Sequence, residues 1–409
     1  MISRIFAEEI RDSKGNPTIK VTVCSDDKSG SFSVPSGAST GIHEVHESRD
    51  PDGKGVNKAI DNVNNIIAPA LVGKDVLKQR EIDEILLKLD GTPNKDNLGG
   101  NALIGVSIAC AKVAAKISNL ETFNYLKTLS DILPNGGKGR PSRRTPYLFM
   151  NLLEGGKHTD SRLAFQEYHI VPETENISEA VDIGIKIQNN LKEIITEKLS
   201  EDSLILGDEG GFAPKINDIK KPLEFFVEAI KRNKLEGKVR LALDVAASSF
   251  YDNGFYEVND KEISKEELMD IYNFLIAEFN LFSIEDPFNE EDFNSFRELK
   301  EKNENLFVVG DDLTVTNKIL LKKAIEKGSI NAVIIKPNQI DTLTETFETM
   351  KLARESGIEF IVSHRGEETN DDFIADLAYA FGCFGLKSGT PSKPERKVKY
   401  DRLIKISEE

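Results

Sequence analysis

The sequence is short of the features that mark secreted, membrane-spanning or nucleic-acid-binding proteins. Its 409 residues include only three cysteines, Cys24, Cys110 and Cys383, which share no metal-type spacing and cannot all pair. That excludes a disulfide scaffold and a cysteine-built zinc site. Positive charge is the next deficit: 53 Lys and Arg stand against 69 Asp and Glu, a formal net charge of −16. A phosphate-backbone binder needs a basic face, so nucleic acid is not an expected partner. Long apolar runs are missing too. The most apolar stretch, Ala102 to Ala115, is interrupted by Gly105, Ser107 and Lys112, so no membrane span is expected. Arg4, Glu8 and Glu9 come too early for a secretory leader. What is present, 39% hydrophobic and 30% charged residues, suffices for a sizeable core and predicts a soluble, cytoplasmic, globular chain.

Two rhythms divide the chain. Three β-like runs, Arg4–Ile10, Thr18–Cys24 and Gly30–Val34, are followed by helical periodicity in Val56–Leu71, Val76–Leu89 and Asn97–Lys116. Strands first and helices after predict a small α+β domain over residues 1–133. The Gly/Pro/basic stretch Pro134–Pro141 then reads as a linker, and a second domain is expected over residues 142–409. There, short apolar runs end in charged residues: Asp244, Glu285, Asp311, Lys336, His364 with Arg365, and Lys387. These endpoints follow one another at 41, 26, 25, 28 and 23 residues, with helix-like segments such as Lys265–Phe279, Asn317–Lys327, Thr342–Ser356 and Asp371–Phe381 between them. One strand, one helix and two loops need about this length, so the pattern is a run of βα units. Tyr147–Asn151 and Phe165–Val171 bring the strand count to eight, enough for an α/β barrel of (β/α)8 type. The rival is a doubly wound open sheet, but no Gly-x-Gly-x-x-Gly follows a strand.

A barrel gathers its C-terminal strand ends at one mouth, which would bring Asp244, Glu285 and Asp311 together. Three unpaired carboxylates repel one another; a hard divalent cation removes that cost, and oxygen-only ligands favour Mg²⁺ over Zn²⁺. Each acid could equally cap the helix that follows or pair with a lysine. Lys336 and Lys387 end strands across the mouth. The apolar run before Lys336, Ala332–Ile335, favours a lowered pKa and a role as a base, with a plain counter-ion as the alternative. His158 and His364 are the candidate histidines, His364 because it ends a strand beside Arg365. His43 and His46 lie in a polar loop without a third ligand, and His169 is expected to be structural. Pro35–Gly41 is a small, polar, glycine-hinged segment suited to closing over an anion, and Gly207–Phe212 sets Asp208 and Glu209 in a glycine-rich loop.

In order along the chain, VPSGASTG (34–41), LGGNALIGVS (98–107), GDEGGFAP (207–214), SIEDPF (283–288), GDDLTVTN (310–317), KPNQI (336–340), Ser363–Arg365 and Lys387–Gly389 resemble the enolase family nearly end to end. The resemblance implies a barrel of ββαα(βα)6 type, with one antiparallel strand, under a small N-terminal α+β domain. It implies reversible dehydration of 2-phosphoglycerate to phosphoenolpyruvate with two Mg²⁺ ions per site, the second arriving with substrate. Asp244, Glu285 and Asp311 would hold the first ion and Ser39 would contact the second. Lys336 would be the base at C2, and Glu209 the acid at the C3 hydroxyl with Glu167 beside it. His158, Lys387, Arg365, His364 and Gly366 would bind substrate, Arg365 taking the phosphate. The partners implied are a small phosphorylated acid and a second copy of the chain.

Several positions depart from the family. Gly366 and Glu367 follow His364-Arg365 where enolases typically have Ser-Gly, so a serine hydroxyl is missing and a carboxylate is added next to the expected phosphate. An inward Glu367 would repel substrate. Glu154 stands in place of the usual Asn before Gly155-Gly156. Lys14, Lys20 and Lys405 replace residues of the usual subunit contact, so repulsion is expected where pairing occurs elsewhere. Three functions stay open on the sequence: an enolase, a related lyase with altered phosphate recognition, and an enolase-like binding protein without turnover.

Overall fold

Strand alternation builds the first sheet. In the computed structural model, which describes residues 1–37, 41–132, 145–156 and 161–408, β1 (Ile2–Arg11), β2 (Pro17–Ser25) and β3 (Lys28–Ser33) form an antiparallel meander. Ile19, Val21 and Val23, two residues apart and fully buried, make its apolar face. The expected Val56–Leu71 helix is split into α1 (Asn57–Asp61) and α2 (Ala68–Leu71) by a π-helical turn over Asn62–Ile67. Next come α3 (Gln79–Asp90), ended by Gly91 at φ +73, α4 (Gly100–Ile117) and α5 (Thr122–Leu129). The apolar helix α4 lies on the sheet so closely that a Cβ on Gly30 would sit 2.4 Å from the Val113 nitrogen. By length and composition α4 could cross a membrane, which the sequence expectation had excluded, but 83% of it is buried inside the protein as a core helix.

The second part is a closed eight-stranded barrel. β4 (Tyr147–Glu154) and β5 (Glu167–Pro172) are followed by α6 (Ile177–Lys198), α7 (Lys221–Arg232) and β6 (Val239–Asp244). A small sheet of β7 (Tyr251–Asp252), β8 (Phe255–Val258) and β9 (Lys261–Ile263) fills the long 244–285 interval and had no sequence signal. Then α8 (Lys265–Phe279) leads to β10 (Ser283–Glu285), and α9 (Phe293–Lys302) to β11 (Phe307–Gly310). Alternation continues through α10 (Lys318–Lys327), β12 (Ala332–Ile335), α11 (Leu343–Glu355), β13 (Glu359–Ser363), α12 (Phe373–Ala380) and β14 (Gly385–Lys387) to α13 (Pro394–Ser407). The circuit closes as β10-β11-β12-β13-β14-β4-β5-β6. β5 runs antiparallel to both neighbours, and every other pair is parallel. Strand-to-helix loops end in side-chain caps: Ser264 and Glu267 form a reciprocal capping box on α8, while Asp292, Asn317 and Thr342 cap α9, α10 and α11.

Period two decides what points into the barrel. One buried cluster takes residues from all around it: Phe149, Val171, Ala242, Phe282, Phe307, Val309, Ala332, Ile334, Ile361 and Phe384. The in-between residues Leu243, Ile284, Val308, Val333, Ile335, Val362 and Leu386 join the other core, shared with the helices. The Phe307 ring lies tilted 4.5 Å from Phe384 and edge-on 5.1 Å from Phe282, so aromatic rings fill the lower barrel. Two residues beyond Ala242, Val309 and Ile334, on the same inward face, stand Asp244, Asp311 and Lys336. The N-terminal part is fastened to the barrel by Asp83 of α3, whose Oδ2 accepts both the N–H (3.0 Å) and the hydroxyl (2.6 Å) of Thr344.

Candidate active site

Glu167, Glu209, Asp244, Asp311, Lys336, His364, Arg365, Gly366 and Lys387 line one narrow cavity at the C-terminal mouth of the barrel. Glu285 lies beside it, aligned with Asp244 across the β6–β10 pair. His158, the linker Pro134–Pro141 and residues 38–40 of the Pro35–Gly41 segment, Ser39 among them, lie outside the described residues.

The acids and lysines interlock. Lys387 Nζ lies 2.7 Å from Asp244 Oδ2, 2.9 Å from Glu285 Oε1 and 3.4 Å from Glu167 Oε1. Burial works against its charge, but Asp244, Glu167 and Glu285 together raise its pKa well above that of an ordinary lysine. Lys336 Nζ bonds Asp311 Oδ2. Burial is the largest single influence and would lower the Lys336 pKa, as its apolar strand predicts, yet Asp311 with help from Glu285 more than offsets it and the pKa is raised. This corrects the sequence expectation, because an apolar run says nothing about a carboxylate on the next strand. Asp311 in turn is held below the usual carboxylate range, Lys336 and Lys387 overcoming its burial.

The carboxylates outnumber the lysines. Burial, then Asp244 and Asp311, raise Glu285 well above the usual range, and burial with neighbouring acids does the same for Asp286 and Asp312. Among the described residues, two sets bring three ligand-type atoms within 4.8 Å of one another. One is Asp286, Asp311 and Asp312; the other is Glu167, Glu209 and His364. The expected trio of Asp244, Glu285 and Asp311 sits on three adjacent strands, but its members are drawn to two different lysines rather than into one cluster. Asp286 carried no sequence expectation. It is strained, at φ +42, and its two oxygens accept the N–H groups of Asp311 (2.9 Å) and Asp312 (2.7 Å), so it shapes the turn that presents them.

Around the other side stand the groups near Glu209. Its Oε2 accepts from Asn151 Nδ2 at 3.1 Å, and its Oε1 is 3.2 Å from His364 Nε2. Arg396, fully buried on α13, donates to His364 Nδ1 and to the carbonyl oxygens of Arg365 and Gly366. A guanidinium only donates, so His364 is neutral at Nδ1 and its Nε2–H faces Glu209. His169, expected to be structural, is buried and bonded to Glu167 Oε2 at 2.8 Å. Arg365 reaches the cavity held by Glu44 of the N-terminal part (2.8 Å) and by Asn338 (3.1 Å). A groove of about 900 Å³ opens beside the mouth and shares Arg365 with it. Glu367 faces Asn16 Nδ2 at 3.1 Å and Lys14 at 3.9 Å and lines this groove rather than the narrow cavity. His43 pairs with Glu291 and His46 with Asp96, both near the surface.

Residues 143–409 match the family description "Enolase, C-terminal TIM barrel domain", and residues 2–126 match "Enolase, N-terminal domain". The chain belongs to the enolase family. The enolase of Methanocaldococcus jannaschii is 44% identical over 414 residues, covering 100% of this chain and 95% of that one. Those of Methanopyrus kandleri and Corynebacterium kroppenstedtii are each 43% identical, covering 100% and 99% of this chain and 96% and 94% of theirs. Within this enolase-family site, Asp286, Asn151, His169, Glu44 and Arg396 are the residues that sequence reasoning did not find. The strand period pointed to Asn151, two residues after inward Phe149. Asp286, Glu44 and Arg396 act through partners distant in sequence, and His169 through Glu167 two residues before it.

Proposed function

We infer that this enolase-family lyase, which dehydrates 2-phosphoglycerate to phosphoenolpyruvate, uses Lys336 as the base and Glu209 as the acid. The observation that supports this is that both side chains line the same narrow cavity, on separate elements, among the other charged groups the reaction needs. The C2 proton next to a carboxylate is very weakly acidic, and removing it leaves a second negative charge. Lys336 takes that proton; to do so its amine must first be free of its own, which requires the pull of Asp311 to be relieved. Lys387 faces the substrate carboxylate and Arg365 the phosphate, the guanidinium already aimed by Glu44 and Asn338. Glu209, oriented by Asn151 and His364, hands a proton to the departing C3 hydroxyl, and Glu167 keeps negative charge close so that one carboxyl of the pair retains a proton.

The donor set suits a hard divalent cation: a surplus of buried carboxylates, with three oxygens of Asp286, Asp311 and Asp312 already within 4.8 Å. In this proposal Asp244, Glu285 and Asp311 would hold a resident Mg²⁺, and Ser39 would contact a second that comes with substrate. When bound, the ions would stabilise the negative charge that develops on the substrate carboxylate. A homo-oligomer remains part of the proposal, although Lys14 pairs with Asp208 (2.6 Å) and Lys20 with Glu8 (3.8 Å) inside one chain.

The test is phosphoenolpyruvate formation followed by its ultraviolet absorbance, with and without Mg²⁺. Lys336→Ala should lose about 10³-fold or more of the turnover and also the exchange of the C2 hydrogen with solvent. Retained exchange in that variant would reassign the base.

A further inference from the structure

Beneath the loop that carries Glu209 lies a carboxylate with no part in the mechanism above. Glu154 ends β4 and is fully buried. Its Oε2 accepts the N–H of Glu209 at 3.1 Å, and its Oε1 accepts the N–H of Gly211. The loop is moulded on this side chain: a Cβ on Gly207 would stand 2.0 Å from Glu154 Oε2, and one on Gly211 2.9 Å from Oε1. Backbone bonds finish the enclosure, from Gly207 N to Gly211 O (2.8 Å) and from Glu154 N to Phe212 O (2.9 Å). Two N–H donors pointing at the two ends of one group call for a side chain that only accepts. A carboxylate meets that need; an amide would turn its own N–H groups towards one of them.

We propose that Glu154 is a positioning residue for Glu209, its carboxylate clamping the loop Gly207–Gly211 and so fixing where the acid stands. The inference rests on Glu209 being the acid. From above, Glu209 is tied through its side chain to Asn151 and His364, and Thr390 N donates a long 3.4 Å bond to its carbonyl. From below, Glu154 supplies the bonds that set its backbone. Both are needed, because a catalytic group displaced by a fraction of an ångström loses much of its effect. Glu154 also sits in a charged surrounding: burial, Glu209 and Glu167 all make its ionised form costly. The N–H groups of Glu209 and Gly211 offset part of that cost.

The chemistry separates a positioning role from a merely structural one. Exchange of the C2 hydrogen of 2-phosphoglycerate with deuterated solvent needs the base alone, whereas phosphoenolpyruvate formation needs the acid as well. Full-length protein with Mg²⁺, wild type and Glu154→Gln, is assayed for both, and amide hydrogen exchange is followed over residues 207–212. The isosteric variant should slow dehydration about 10- to 100-fold, leave C2 exchange within about twofold, and speed amide exchange in that segment alone. Dehydration unchanged, or both activities falling together with the melting temperature, overturns the clamp. Glu209→Gln run in parallel keeps the two ideas apart. If that variant still dehydrates, the acid is misassigned; if it does not while Glu154→Gln does, only the clamp fails.

Discussion

His364 Nε2 stands 3.2 Å from Glu209 Oε1, while its Nδ1 takes a hydrogen bond from the buried guanidinium of Arg396. The ring is thus an orienting donor rather than a titrating one. Burial first, then the positive charge of Arg396, hold its pKa well below 6.5, with Lys387 and Lys336 adding to the effect and Glu167 opposing it. The ring should stay neutral, and its carbon-bound proton resonances should not titrate between about pH 5 and 8. His364→Ala should lower kcat about tenfold or more with a smaller change in KM. A titration midpoint in that window would contradict the assignment.

Metal should stabilise the fold through the mouth carboxylates. A free Mg²⁺ concentration 100 times its Kd adds about 2.7 kcal/mol to the unfolding free energy of a protein that binds it only when folded. Thermal melts with Mg²⁺ and with a chelator should therefore differ. Glu285→Gln should abolish most of the difference; an unchanged Mg²⁺ shift in that variant would remove Glu285 from the ligand set.

Glu367, an added charge beside the expected phosphate position, turns out to face Asn16 and Lys14. Glu367→Gln is accordingly expected to change KM for 2-phosphoglycerate by no more than about twofold, since a charge outside the cavity and partly screened contributes little. A large fall in KM would show that the side chain turns inward when substrate binds.

Asp341 carries strain that the fold can do without. It sits at φ +83, is 1% exposed, and neither carboxylate oxygen has a hydrogen-bond partner among the described residues. Asp341→Gly should raise stability by about 2 kcal/mol near neutral pH, read as an increase in melting temperature. Burial raises its pKa well above 3.8, with Glu345, Glu47 and Glu44 adding to the rise and Lys95 opposing it. The folded chain then holds a proton that the unfolded chain has released, so this residue's contribution to stability falls as pH rises from 3.8 through the folded pKa. The gain from Asp341→Gly should therefore shrink towards about pH 4. An equal gain at both ends would contradict the burial argument.

Local periodicity carried most of the architecture. β12 spans the residues expected, α8 does too, and the other barrel strands lie within a few residues of their apolar runs. The reason is that one strand and its helix are built from neighbours in sequence. β7, β8 and β9 escaped notice because they are two to four residues long. The antiparallel course of β5 was implied only by resemblance, since an apolar run has no direction.

The sequence by itself determined which charges the barrel would carry inward. Alternation places Asp244, Asp311 and Lys336 two residues beyond buried Ala242, Val309 and Ile334, and backbone geometry enforces that period wherever a strand forms. Only the tertiary structure decided who faces whom: Lys336 against Asp311, His364 between Glu209 and Arg396, Arg365 against Glu44, Glu154 under its loop. These partners are 25 to 321 residues apart in the chain. Their meeting depends on closure of the barrel and docking of the N-terminal sheet, and so do the protonation states, because the field at each group comes from neighbours that no local pattern names.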